Sequence, residues 1–206
     1  MKLYAGIVVA CLTMMGFMPS YSLAQSVPND AAAVPAAETP DVLAANKAAE
    51  EKFNQAEVVF KKLTATKLQK PNGKADAKYL QIQLSKMSDL IYEASPLYQD
   101  VIKNGKSPKL GIASLVRLGM MYQYVSDELN QSKPPKDLPE EAAAQYMELI
   151  HGFSSQFGEK AIEFYEVAIG RKNVVEADNE FIREAQSRLQ GLKKNENQDN
   201  EQLQNK

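Results

Sequence analysis

The stretch SLVRLGMMYQYVSDEL, residues 114–129, is strongly apolar and has the spacing of a helix, yet it keeps Gly119 near its centre. A glycine inside a helix costs about 1 kcal/mol relative to alanine, so its presence needs a physical reason. Because glycine has no Cβ atom, another element can approach the helix backbone closely at that point. The stretch therefore predicts a helix over residues 109–130 that packs tightly against a second helix.

The apolar residues of the flanking segments also recur at intervals of three and four, which is the period of an amphipathic helix. One face of the first segment carries Ala49, Phe53, Ala56, Phe60 and Leu63. The same spacing predicts helices over residues 41–67, 75–104, 138–169 and 176–192. Pro96 either kinks the second helix or begins a new one that Ser95 caps. We therefore expect an all-α fold of about five to six antiparallel helices.

The first residues have the layout of a secretory signal peptide. Lys2 precedes an apolar run over Leu3–Met18, and Ser22 and Ala24 suit the −3 and −1 positions of a cleavage site. Residues 1–24 are therefore expected to be removed after Ala24, which predicts an exported, periplasmic protein. A lipoprotein attached through Cys11 and an uncleaved membrane anchor are less favoured alternatives.

Composition divides the rest of the chain into three parts. Residues 25–40 are rich in alanine and proline, which predicts a linker. The polar residues 193–206 have one leucine and cannot bury a core, which predicts a disordered tail. The folded domain is therefore expected to cover residues 41–192.

Charge and residue types exclude several classes of function. The formal net charge is −2, so there is no basic surplus for binding nucleic acid. Cys11 is the only cysteine and would leave with the signal peptide, while His151 is the only histidine. With no cysteine–histidine set and no catalytic or phosphate-binding motif, we expect no enzyme activity, no metal and no cofactor. After signal cleavage, no membrane insertion is expected.

Two sets of residues have spacings characteristic of a known repeat. The first contains a large apolar residue, a Leu-Gly pair and an aromatic residue: Leu115, Leu118, Gly119 and Tyr122. The second has a small–x3–aromatic–x2–small pattern: Ala161, Tyr165 and Ala168. Both resemble the paired helices of tetratricopeptide repeats, although a proline-containing loop and an additional helix are expected to separate the sets over residues 130–158. The resemblance implies a fragment of an α-solenoid built from helix-turn-helix units.

Three longer segments extend this resemblance: Tyr98–Tyr122, Pro134–Tyr146 and Lys160–Ala168. They are similar to exported tetratricopeptide-like proteins of deltaproteobacterial envelopes, of the type associated with gliding motility. The similarity implies an envelope scaffold with one or more envelope proteins as partners, rather than an enzyme.

The repeat geometry also predicts a binding face. If Ile112 is the first position of the repeat, the concave face carries Ala113, Val116, Met120, Gln123 and Tyr124. An alternative is that these residues pack against other helices of the chain. We expect a scaffold for protein–protein interactions. A periplasmic chaperone or adaptor is the alternative, and a small-ligand carrier or enzyme is less favoured.

Overall fold

The computed structural model describes residues 39–70, 76–136, 138–175 and 179–204. These residues form five α-helices and no strand: α1 (Pro40–Ala65), α2 (Ala77–Asn104), α3 (Pro108–Asn130), α4 (Glu140–Gly170) and α5 (Glu180–Gln204). A 3-10 turn, Lys172–Val174, follows α4. The all-α expectation is therefore confirmed. The predicted signal peptide, Cys11 and the linker as far as residue 38 lie outside the described residues.

Side-chain caps and prolines determine where the first three helices begin. The Thr39 hydroxyl accepts from the backbone N–H of Val42 at 3.4 Å, so Thr39 caps α1. Asp76 caps α2 in the same way, and Ser107 caps α3. Pro40 and Pro108 each occupy the first turn of a helix, where the missing N–H is not needed.

Pro96 lies inside a continuous α2, so of the two alternatives the start of a new helix is wrong. Two other segments differ in detail from the sequence expectation. The helix α4 runs without interruption through Gly152 and Gly158. The two halves of the repeat pattern are therefore separated by a loop and the first half of α4, not by an additional helix. The helix α5 continues to Gln204, into the segment expected to be a disordered tail. Glutamate, glutamine and lysine are good helix formers, and no glycine or proline follows Gly191 to end the helix.

The helix α3 occupies the centre of the fold. Neighbouring helices pack mostly antiparallel, and α3 contacts α2 and α4 as well as α1 and α5. It is accordingly buried on most of its surface, unlike the other helices, each of which has one buried face. Among the residues that the structure describes, no helix is both long enough and apolar enough to cross a membrane.

The contact between α3 and α4 is closest at Gly119. A Cβ atom placed on Gly119 would lie 2.6 Å from Cε1 and 2.8 Å from Cδ1 of Tyr165, which is fully buried. Two turns further along α3, Ser126 and Ser154 exchange hydrogen bonds across the same contact. Each hydroxyl donates to the other residue's carbonyl oxygen, at 2.9 and 3.1 Å. Small side chains thus allow the two backbones to approach along this seam.

Replacing Gly119 with alanine should destabilise the fold. The new methyl group would displace the buried Tyr165 ring, at a cost of about 1–3 kcal/mol in the free energy of unfolding, which exceeds the gain in helix propensity. Gly152→Ala is the matched control, because a Cβ atom there meets nothing within 4 Å in the middle of α4. That variant should be more stable by up to about 1 kcal/mol. Urea denaturation of both variants is the measurement, and equal stabilisation by both would contradict the close contact.

Candidate interaction surface

The structure divides the five predicted groove residues into two groups. Ala113 and Val116 have no exposed surface, so they present nothing to a partner in this conformation. Met120, Gln123 and Tyr124 are partly exposed. We call these three residues the α3 stripe. The predicted concave face is therefore closed over its first half and accessible over its second half.

On one side of the stripe, the loop after α1 contacts Tyr124. The Tyr124 hydroxyl donates to the carbonyl oxygen of Thr66 at 3.0 Å, and Lys67 Nζ lies 5.0 Å from the centroid of the Tyr124 ring. Lys67 also pairs with Glu128 Oε1 at 2.7 Å, and the N–H of Leu68 donates to Glu128 Oε2 at 3.2 Å. The hydrogen bond to Glu128 raises the pKa of Lys67 to about 12. The ammonium group therefore stays charged over the ring.

A second polar junction joins α1, α2 and α3 beside Met120. Arg117 Nε and the Tyr98 hydroxyl both donate to Glu57 Oε1, at 2.8 and 2.7 Å. The guanidinium also lies 5.2 Å from the centroid of the Phe60 ring, and its Nη1 is 3.2 Å from the sulfur of Met120. Burial, and after it the neighbouring Glu57 carboxylate, raises the pKa of Tyr98 well above its usual range. Tyr98 is therefore a neutral donor to Glu57.

On the other side of the stripe, Gln123 connects α3 to α4 and α5. Its Oε1 atom accepts from the Tyr165 hydroxyl at 2.7 Å and from Arg188 Nη1 at 3.1 Å. Arg188 Nε in turn donates to Glu184 Oε1 at 2.6 Å. Burial raises the pKa of Tyr165, while the positive charge of Arg188 opposes that shift. The amide of Gln123 is thus oriented by one hydrogen-bond donor from α4 and one from α5.

The residues of the predicted repeat pattern lie inside the fold. The ring of Tyr122 stacks on Phe164, with 5.5 Å between centroids, and lies 6.0 Å from that of Phe157. The complete set is buried: Leu115, Leu118, Gly119, Tyr122, Ala161, Tyr165 and Ala168. These residues therefore pack helices together rather than forming part of an accessible surface.

Sequence reasoning did not find the polar partners around the stripe. Arg117 and Glu57 are 60 positions apart, as are Leu68 and Glu128, so no local spacing relates them. The one available signal was a charged residue on an apolar helix. Arg117 and Glu128 both lie within the stretch that predicts α3, where a charge needs a partner from elsewhere in the fold.

Comparison of the chain with protein-family models, curated proteins and solved structures found no match. Within the described residues, no group of three or more histidine, cysteine, aspartate or glutamate side chains is placed to bind a metal ion.

Removing the carboxylate of Glu57 should weaken the junction of α1, α2 and α3. In Glu57→Ala, Arg117 and Tyr98 both lose their shared acceptor, which should lower the free energy of unfolding by about 1–3 kcal/mol. Glu51→Ala is the control, because Glu51 is exposed on the same helix. That variant should change stability by less than about 0.5 kcal/mol. Similar losses in the two variants would show that the junction contributes nothing.

The raised pKa of Tyr98 also predicts a loss of stability in alkali. A group with a raised pKa in the folded state contributes fully below its ordinary pKa of about 10, and its contribution is lost as the pH rises above that value. The free energy of unfolding should therefore fall above about pH 10, by at most about 1.4 kcal/mol per pH unit for this group. Urea denaturation at a series of pH values above about 10 should show that the free energy of unfolding falls less steeply with pH in Tyr98→Phe than in the wild type. Tyr92→Phe should keep the wild-type slope, because the Tyr92 side chain is 64% exposed.

Proposed function

We propose that this chain is an exported helical scaffold of the bacterial cell envelope, which binds another envelope protein through the α3 stripe. The observation that carries the proposal is the arrangement of Met120, Gln123 and Tyr124. They are partly exposed on the central helix and lie between polar groups supplied by α1 and its following loop on one side and α5 on the other. Methionine and tyrosine are enriched at protein–protein interfaces, where they supply adaptable apolar contact area.

The stripe is also ordered before any partner arrives. The Tyr124 hydroxyl, the Gln123 amide and the Met120 sulfur each have a contact within the chain. Binding therefore needs to immobilise few side chains, which lowers the entropic cost of association. A rigid surface of this kind favours a single specific partner over many loosely bound clients, and hence a scaffold over a chaperone.

The packing of the helices supports a tetratricopeptide-like arrangement. In addition to contacts between neighbours, α3 contacts α1 and α5, the helices two positions away from it in chain order. Stacked helix pairs produce this pattern in α-solenoids, and their concave surfaces are formed by one helix of each pair. The close approach of Tyr165 to Gly119 supports the same proposal, because the repeat pattern requires glycine at that position.

Photo-crosslinking in the native envelope tests the proposed function. A photoreactive residue at Met120 should give one discrete adduct with another protein. The same residue at Gln145 should give none, because Gln145 is exposed on α4 and lies nine positions before Ser154, where α4 meets Ser126 of α3. A ladder of many weak adducts at Met120 would instead support the chaperone alternative. No adduct at Met120, or equal adducts at both positions, would contradict the α3 stripe as the binding surface.

A further inference from the structure

Among the residues whose side-chain exposure the structure describes, Glu128 is the only charged residue that is buried. Its side chain is 8% exposed, and its two oxygens contact the Lys67 ammonium and the N–H of Leu68. A buried carboxylate is very unfavourable without a compensating cation or hydrogen bonds. If the Lys67 ammonium leaves, Glu128 keeps the Leu68 N–H but loses its cation, so a group that replaces Lys67 over Tyr124 compensates Glu128 best when it carries a positive charge.

The cation that does so here belongs to a side chain that can leave easily. The Lys67 side chain is 59% exposed, and its described contacts are with Glu128 and the Tyr124 ring. The residues on both sides of it hold the loop in place. The Thr66 carbonyl oxygen accepts a hydrogen bond from the Tyr124 hydroxyl. Leu68 is buried in the core, with 2% of its surface exposed, and its N–H donates a hydrogen bond to Glu128. The Lys67 side chain can therefore swing into solvent while the loop backbone stays where it is.

We infer that Glu128 and Tyr124 form a cation pocket, which Lys67 fills in the free protein and which a lysine or arginine of the partner fills in the complex. This inference rests on the proposed function, because it specifies the chemistry of the partner at the α3 stripe. A cation over the Tyr124 ring gains the attraction of the aromatic face as well as the carboxylate. An acidic or neutral side chain in the same position would leave Glu128 buried without a counter-charge. The partner is thus expected to present a basic side chain to Tyr124.

Chemical rescue tests the pocket without any knowledge of the partner. Lys67→Ala removes the ammonium group and should lower the midpoint of thermal unfolding by several degrees. The n-butylammonium ion should restore part of that loss, relative to sodium chloride at equal ionic strength. Wild-type protein, whose pocket is filled, and the Lys67→Ala/Glu128→Gln double variant, whose pocket has no charge, should not respond. Lys67→Ser is the second variant if the alanine variant does not fold.

Lys61→Ala is the matched control, because Lys61 is an exposed lysine of α1. Its stability should be close to that of the wild type, with no response to n-butylammonium. If Lys67→Ala shows no greater rescue than Lys61→Ala, Glu128 and Tyr124 do not form a cation pocket, and the inference is overturned.

The exchange of Lys67 for a partner cation is tested by photo-crosslinking from Met120. Lys67→Ala removes the internal competitor and should raise the adduct yield several-fold, whereas Glu128→Gln should lower it. An adduct whose yield is the same in all three proteins would overturn the exchange and leave the proposed function intact. If no variant gives an adduct, the proposed function fails and the exchange fails with it, while the rescue experiment still decides whether the pocket exists.

Discussion

The ring of Tyr165 lies against the backbone of α3 at Gly119, where that helix has no side chain. This contact sets how closely α3 and α4 approach, since even a methyl group on Gly119 would overlap the ring. The rest of the seam follows from it. Ser126 and Ser154 are close enough to exchange two hydrogen bonds. Protein interiors are packed at crystal-like density, so a change in this one separation would be felt by the whole interface.

The other three helices are tied to α3 by polar groups rather than by close backbone contact. Glu57 gathers donors from α2 and α3, Glu128 holds the loop after α1, and Gln123 receives donors from α4 and α5. Each junction is partly or wholly shielded from water, where leaving a polar atom unpaired is costly. Such groups specify orientation, because a hydrogen bond fixes direction and apolar contact does not. The hydrogen bonds thus fix the orientation of the helices around α3, while apolar contacts hold them against it.

The same polar junctions hold the side chains of the α3 stripe in position. Side chains that hold the helices together also surround Met120, Gln123 and Tyr124, so the exposed surface is supported by the groups that stabilise the fold. A site on rigid elements with such support is held more precisely than one on a loop. A partner that contacts the stripe therefore meets charged groups already engaged within the chain. It must either leave those pairs intact or supply equivalent groups of its own, and the Lys67 position is where replacement is easiest.

The amino-acid sequence by itself determined the all-α class, four of the helix cores to within a few residues, and the need for close packing at Gly119. These properties depend on local spacing, caps and propensity, which the chain carries in consecutive residues. The sequence was less informative at the end of α5, where composition predicted disorder but polar helix formers continue the helix.

Only the tertiary structure decided that Ala113 and Val116 are buried while Met120, Gln123 and Tyr124 are partly exposed. Tyr124 and Gln123 contact the loop after α1 and α5, respectively, and the partners Glu57, Lys67 and Arg188 come from segments far away in the chain. No local pattern records which distant side chains the packing brings together, because that is set by the combined geometry of all five helices.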